Sequence, residues 1–119
     1  MSAFAKVTTQ INNLPLLKQS MDDLGMKYES DKKSVKFYGK NPMGLDIYVA
    51  KHHFGFVKSG ETYDLVGDSD HQPVFNKILQ KYSENRVREQ ARQQGYQVES
   101  VEQLENGEIK LHIKRRSFA

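Results

Sequence analysis

Between Met26 and Asp68 the chain reads in twos, and this block, framed on both sides by segments of helical period, constrains the fold more than any other feature of the sequence. Val35 and Phe37 alternate with Lys36 and Tyr38, and Asn41-Pro42-Met43-Gly44 then breaks the pattern. Leu45, Ile47 and Val49 alternate with Asp46, Tyr48 and Ala50; Phe54-Gly55-Phe56-Val57 follows, and after the turn signal Ser59-Gly60 comes Tyr63-Asp64-Leu65-Val66. Apolar residues two apart, separated by turn-forming residues, spell an antiparallel meander of three to five short strands.

The flanks complete the layout. Residues 4 to 11 alternate loosely, with Ala5, Val7, Thr9 and Ile11 on one side, so a first strand is expected there. Asn12 or Asn13 can cap a helix whose first turn tolerates Pro15, and Leu14, Leu17, Met21 and Leu24 form its stripe before Gly25 stops it. Ser69 or Asp70 is the expected cap of a longer helix with Pro73 in its first turn, ending before Gly95. Phe75, Ile78, Leu79 and Tyr82 share one face of it, but that face continues as Arg86, Glu89 and Gln93. Val87 and Ala91 lie more than a quarter turn away, so the helix either kinks near Ser83 or runs past the sheet edge and packs on something else. Asn106-Gly107 is a strong hairpin signal, and Ile109, Leu111 and Ile113 alternate behind it, predicting a terminal hairpin with one buried face. Antiparallel strands with helices to one side give an α+β fold: a two-layer sandwich with two helices on one side of a meander sheet, loosely ferredoxin-like.

At 119 residues the chain fits a single domain spanning 1–119. It has no cysteine, which excludes disulfides, thiolate chemistry, iron–sulfur ligation and cysteine zinc sites. No charged-then-apolar leader and no long apolar run stand in the sequence, so a cytoplasmic or equivalent location is expected and no membrane span. The net charge of +3 is unevenly spread: residues 1 to 60 carry nine lysines against five acids, whereas residues 61 to 119 carry nine basic side chains against ten acids. The excess sits on Lys27, Lys32, Lys33, Lys36, Lys40, Lys51 and Lys58, too dispersed for a basic tail.

Four chemical readings compete for the residues. Asp68, Asp70 and His71 bring two carboxylates and an imidazole together, a set that suits a hard cation but is better explained as a polar loop and helix cap. No Gly-x-Ser-x-Gly, phosphate-cradling loop or dinucleotide fingerprint is present, so neither an enzyme nor a cofactor is indicated. A nucleic-acid reading draws on Lys36, Tyr38, Tyr48, Lys51 and Lys58 on the sheet face away from the helices, on Lys77, Lys81, Arg88 and Arg92 within one 60° helix arc, and on Lys114, Arg115 and Arg116. Glu84 and Glu89 interrupt that arc. The leading reading is a non-enzymatic accessory or regulatory protein that binds another protein through the sheet face at Tyr38 and Tyr48 or through the outer half of the second helix at Val87 and Ala91.

The opening Met1-Ser-x-Phe4, Lys6-x-x-Thr-Gln-Ile11, Asn13-Leu-x-Leu-Leu-Lys18 with Asp23-Leu-Gly25, Gly55-Phe-Val57, Tyr63-Asp-Leu-Val-Gly-Asp68, the helix from Tyr82 to Ala91 running into Gly95-Tyr-Gln-Val98, and the Asn-Gly-Glu-Ile-Lys-Leu hairpin together resemble a family of small conserved hypothetical proteins encoded in cyanobacteria and algal plastid genomes. The resemblance spans nearly the whole chain and rests on framework residues, none a catalytic signature. It implies a single α+β domain of unknown function in or near the photosynthetic compartment, such as the plastid stroma. It also implies a partner of the AAA-type ATPase or photosynthesis-related kind. Ala3 stands where relatives usually have histidine, and the tryptophans common in the family are missing, which marks a divergent member of the kind a mobile element or virus carries.

Overall fold

The computed structural model describes residues 4–68, 72–105 and 108–115. Along the chain run β1 (Phe4–Thr8), α1 (Leu14–Asp23), β2 (Glu29–Val35), β3 (Met43–Val49), β4 (Phe54–Ser59), β5 (Thr62–Asp68), α2 (Gln72–Gln93), β6 (Tyr96–Gln103) and β7 (Ile109–Arg115). Strands β2 to β5 form the meander that the period-two block requires. With β1 returning beside β5, they make a five-stranded antiparallel sheet in the order β1-β5-β4-β3-β2. The α+β class and the antiparallel sheet are thus as the sequence reads.

Local chemistry sets the element ends. Asn13 caps α1 by accepting from the Leu16 N–H at 3.0 Å, and Pro15 sits where no helical N–H is needed. At the other end Gly25 takes φ +68°, and the Met26 and Gly25 N–H groups reach back to the carbonyls of Met21 and Asp22, both at 2.9 Å. This paired closure satisfies the last carbonyls and turns the chain sharply toward β2. The expected α2 caps, Ser69 and Asp70, lie outside the described residues.

The core divides across the sheet. On one face Leu17 and Met21 of α1 and Ile78 and Tyr82 of α2 pack against Ile47, Val49, Phe54 and Phe56, and Phe75 stacks on Phe56 with centroids 6.2 Å apart. Strand alternation turns Val57 and Val66 to the other face, where they join a second cluster with Val35, Phe37 and Leu45. Phe37 does not extend β2, as its spacing from Val35 predicts. It lies in the loop after that strand, 1% exposed, folded over the face away from the helices. Gly55 permits close approach here, since a Cβ at this position would collide with the Ile47 carbonyl oxygen and stand 2.6 Å from Leu45 Cδ1.

The terminal strands behave differently. Among the described residues β6 and β7 pair only with each other, and their main contact with the rest runs between α2 and β6. The molecule measures 59 × 29 × 25 Å with a radius of gyration of 16.4 Å, against about 13.5 Å for a compact chain of this length. The hairpin is an arm carried on the end of α2 and not part of the sandwich.

Candidate interaction surfaces

The sheet face opposite the helices is closed where the sequence reading leaves it open. The Phe37 ring lies 5.7 Å from Phe4 and 4.6 Å from the imidazole of His53, and the Lys40 ammonium sits 5.1 Å above the Phe4 ring. His53 clamps this cap. Its Nε2 lies 3.1 Å from the Lys36 carbonyl, which can only accept, so a neutral ring carries its proton there and Nδ1 accepts from the Tyr48 hydroxyl at 2.7 Å. His53 itself sits at φ +53°, a conformation uncommon for a residue with a Cβ. Tyr48 is therefore a half-buried strut, and the Lys36 ammonium is turned onto the Lys40 carbonyl. Of the residues expected on an open face, Tyr38 is the conspicuous exposed ring, at 81%. Lys51 and Lys58 are exposed, Lys51 in the β3–β4 turn and Lys58 near the end of β4. No flat, ring-lined platform joins them.

Helix α2 runs past the sheet, the second of the two alternatives its pattern allows. Its buried stripe does not stop at Tyr82 but turns polar. Asn85, 7% exposed, donates to Ser20 Oγ and Asp23 Oδ2 of α1, each at 3.0 Å, and the Tyr82 hydroxyl meets Asn12. Asn85 is what the sequence reading missed, although it falls three residues after Tyr82 and so continues the core-facing row. Around the helix, Glu84 holds Lys81 at 3.2 Å and Arg88 at 3.3 Å, and Glu89 holds Arg92 at 3.4 Å. Three of the four cations in the expected basic arc thus face a carboxylate on their own helix, and the exposed Lys77 has no ion pair among the described residues. Ala91 is 8% exposed at the end of the helix that meets β6, and Val87 is half-buried. The outer half of α2 is thus partly covered by the chain's own arm.

The arm is built by a one-residue register shift. Val98 pairs with Ile113 and Ser100 with His112, so Glu99 is an extra residue in β6, and beyond it Val101 pairs with Leu111 and Gln103 with Ile109. Without that bulge Val98 and Val101, three residues apart, would point to opposite faces. With it they join Ile109, Leu111 and Ile113 on one side of the ribbon. None of these five is buried: Ile113 is 44% exposed and the other four are half-buried. The opposite side carries Glu102, Lys110, His112 and Lys114, with His112 Nε2 3.5 Å from Glu102. β7 carries Lys110, Lys114 and Arg115 and no acid.

Asp70 and His71, the side chain of Asp68, and Arg116 lie outside the described residues. Among the described residues no group of three His, Asp or Glu side chains is placed to hold a metal, and no helix is long and apolar enough to cross a membrane.

Residues 20–112 match the model of a family described as protein of unknown function, DUF1257. The chain belongs to this family. It is 34% identical over 125 residues to the uncharacterized protein ycf35 of Guillardia theta, covering 97% of this chain and 98% of the relative. To the protein of the same description from Pyropia yezoensis it is 31% identical over 128 residues, covering 99% and 100%. Both relatives fall in the plastid and cyanobacterial lineage that the sequence resemblance names. No solved structure matches the chain. Family membership spans body and arm alike, because the matched residues include β6 and the first part of β7.

Proposed function

We propose that the protein is a non-enzymatic accessory or regulatory protein that holds another protein on its C-terminal arm, in a cytoplasmic or stroma-like compartment. The observation that carries this reading is the apolar face of the arm, five aliphatic side chains on one side of a two-stranded ribbon, none of them buried. An isolated hairpin is marginally stable in water, and a partner that covers this face supplies the missing layer. Among the described residues no strand pairs with the outer edge of β7, and that edge indicates what kind of partner fits. Its lysines repel a second β7 edge, and they attract an acidic strand, so the occupant is an extended segment or sheet edge that alternates acidic and apolar residues and adds beside β7. The self-neutralised arc of α2 and the closed sheet face lend a nucleic-acid role no comparable support.

Site-specific photo-crosslinking tests the reading. A photoreactive residue replacing Leu111 should give a discrete heterologous adduct in cells, and the same residue replacing Lys77 should not. Lys110→Glu combined with Lys114→Glu should abolish the Leu111 adduct while the melting temperature of the body is unchanged. Equal adducts from both positions, no adduct at all, or an adduct of twice the chain mass would each remove an acidic partner strand as the occupant.

A further inference from the structure

Part of the lysine excess of the first sixty residues converges in space. Lys27 and Lys51, twenty-four positions apart, line one cavity of about 450 Å³ together with Leu24, Gly25, Met26, Val49 and His52. Two turns build it. The Gly25 closure of α1 reverses the chain and brings Leu24, Met26 and Lys27 to the cavity. The β3–β4 turn, in which the His53 N–H bonds the Ala50 carbonyl at 3.3 Å, puts Lys51 and His52 at its two central positions. The core joins the two turns, since Val49 is fully buried and Met26 packs against the same cluster.

The chemistry of this cavity is one-sided. Among the described residues no carboxylate lines it; Asp22 lines the adjoining hollow, which shares Gly25, Met26 and Lys27, and its Oδ2 accepts there from the Tyr28 hydroxyl at 3.4 Å, while Asp23 Oδ2 accepts from Asn85. The carbonyls of Ser20, Met21 and Asp22 are taken by the Leu24, Met26 and Gly25 N–H groups, so the negative end of the helix is largely satisfied before a ligand arrives. Lys27 and Lys51 are exposed and form no ion pair among the described residues. Leu24, 39% exposed, and the half-buried Met26 supply an apolar wall, with the buried Val49 behind it. A concave apolar surface with a few convergent polar groups is the usual form of a small-ligand site.

We infer that this cavity binds a small organic anion, a carboxylate or phosphate group carried on an apolar body, with Lys27 and Lys51 on the charge and Leu24 and Met26 on the apolar part. Among the described residues no arm residue lines it, so the site stands or falls separately from the partner surface above. Amide chemical shifts of the full chain provide the test, with phenyl phosphate and benzoate as probes and phenol and inorganic phosphate as controls. One or both probes should shift the amides of Gly25 to Lys27 and of Lys51 and His52 saturably, each control should bind at least about tenfold more weakly, and added salt should weaken the probes. Which probe binds more tightly distinguishes a phosphate from a carboxylate source. Lys27→Gln with Lys51→Gln should weaken binding about tenfold or more, the scale of a lost charge-assisted contact. Leu24→Asp, which places a carboxylate at the mouth without touching either lysine, should do the same. Shifts spread evenly over other lysines such as Lys32 and Lys33, phenol binding as well as the probes, or affinity unchanged in either variant would overturn the inference.

Discussion

Strand β4 and strand β7 are both rich in large apolar residues, yet one is the most enclosed part of the molecule and the other among the least. Phe54 and Phe56 are at most 1% exposed, with helices above them and a second apolar cluster behind the sheet. Ile109, Leu111 and Ile113 alternate more cleanly than anything in β4, and none is buried. The difference lies in what stands opposite. Alternation reports that a strand has an apolar face, whereas burial depends on a second layer, and among the described residues the arm meets chiefly α2 at its base.

The largest test of that contrast is to truncate one ring in the body and one side chain in the arm. Phe56→Ala removes a fully buried ring stacked on Phe75 and should cost about 3–5 kcal/mol in urea unfolding, whereas Ile113→Ala should cost about 1 kcal/mol or less. Similar losses would mean that the arm is covered after all. Gly55→Ala should cost about 1–3 kcal/mol, because its Cβ would collide with the Ile47 carbonyl and the Leu45 side chain; an unchanged midpoint would show that β3 and β4 yield there. Asn85→Ala strips the buried link between the helices and should cost about 1–2 kcal/mol, with amide exchange rising first in α1.

The smallest effect is alkaline. Burial, with the nearby Asp46 charge adding to it, pushes the Tyr63 phenol above its ordinary value, so the folded chain keeps that proton after the unfolded chain has released its own. The stabilisation is complete below about pH 10 and is lost as pH rises through the folded value. Tyr28 shifts the same way through burial and its contact with Asp22. Tyr63→Phe should flatten the alkaline decline of the melting temperature, and a decline as steep as in the parent would assign it to other groups.

The sequence makes the order of elements legible because period, caps and turn residues are local. Asn13, Pro15 and Gly25 mark α1 without reference to anything distant. Phe37 is misread as strand because only the tertiary fold shows that its ring closes the back of the sheet against Phe4 and His53. β2 carries the charged run Glu29 to Lys33, a poor strand signal, and still pairs because an edge strand leaves such side chains in water. The surfaces were less legible. Ala91 reads as a docking residue because the helix wheel cannot show that it is only 8% exposed in the fold, and the convergence of Lys27 with Lys51 depends on two turns far apart in sequence.

The extra residue at Glu99 gives the arm a parity. Pairing it in regular register would bring Val101 opposite Lys110 and rotate every later side chain of β6 to the wrong side, whereas deleting it would straighten the strand and keep Val101 opposite Leu111, and deleting two residues beyond it would shorten the ribbon and leave its facing intact. Changes in arm length are therefore tolerated in even steps beyond the bulge, and a family member that differs there by a single residue should carry a compensating change in the same strand.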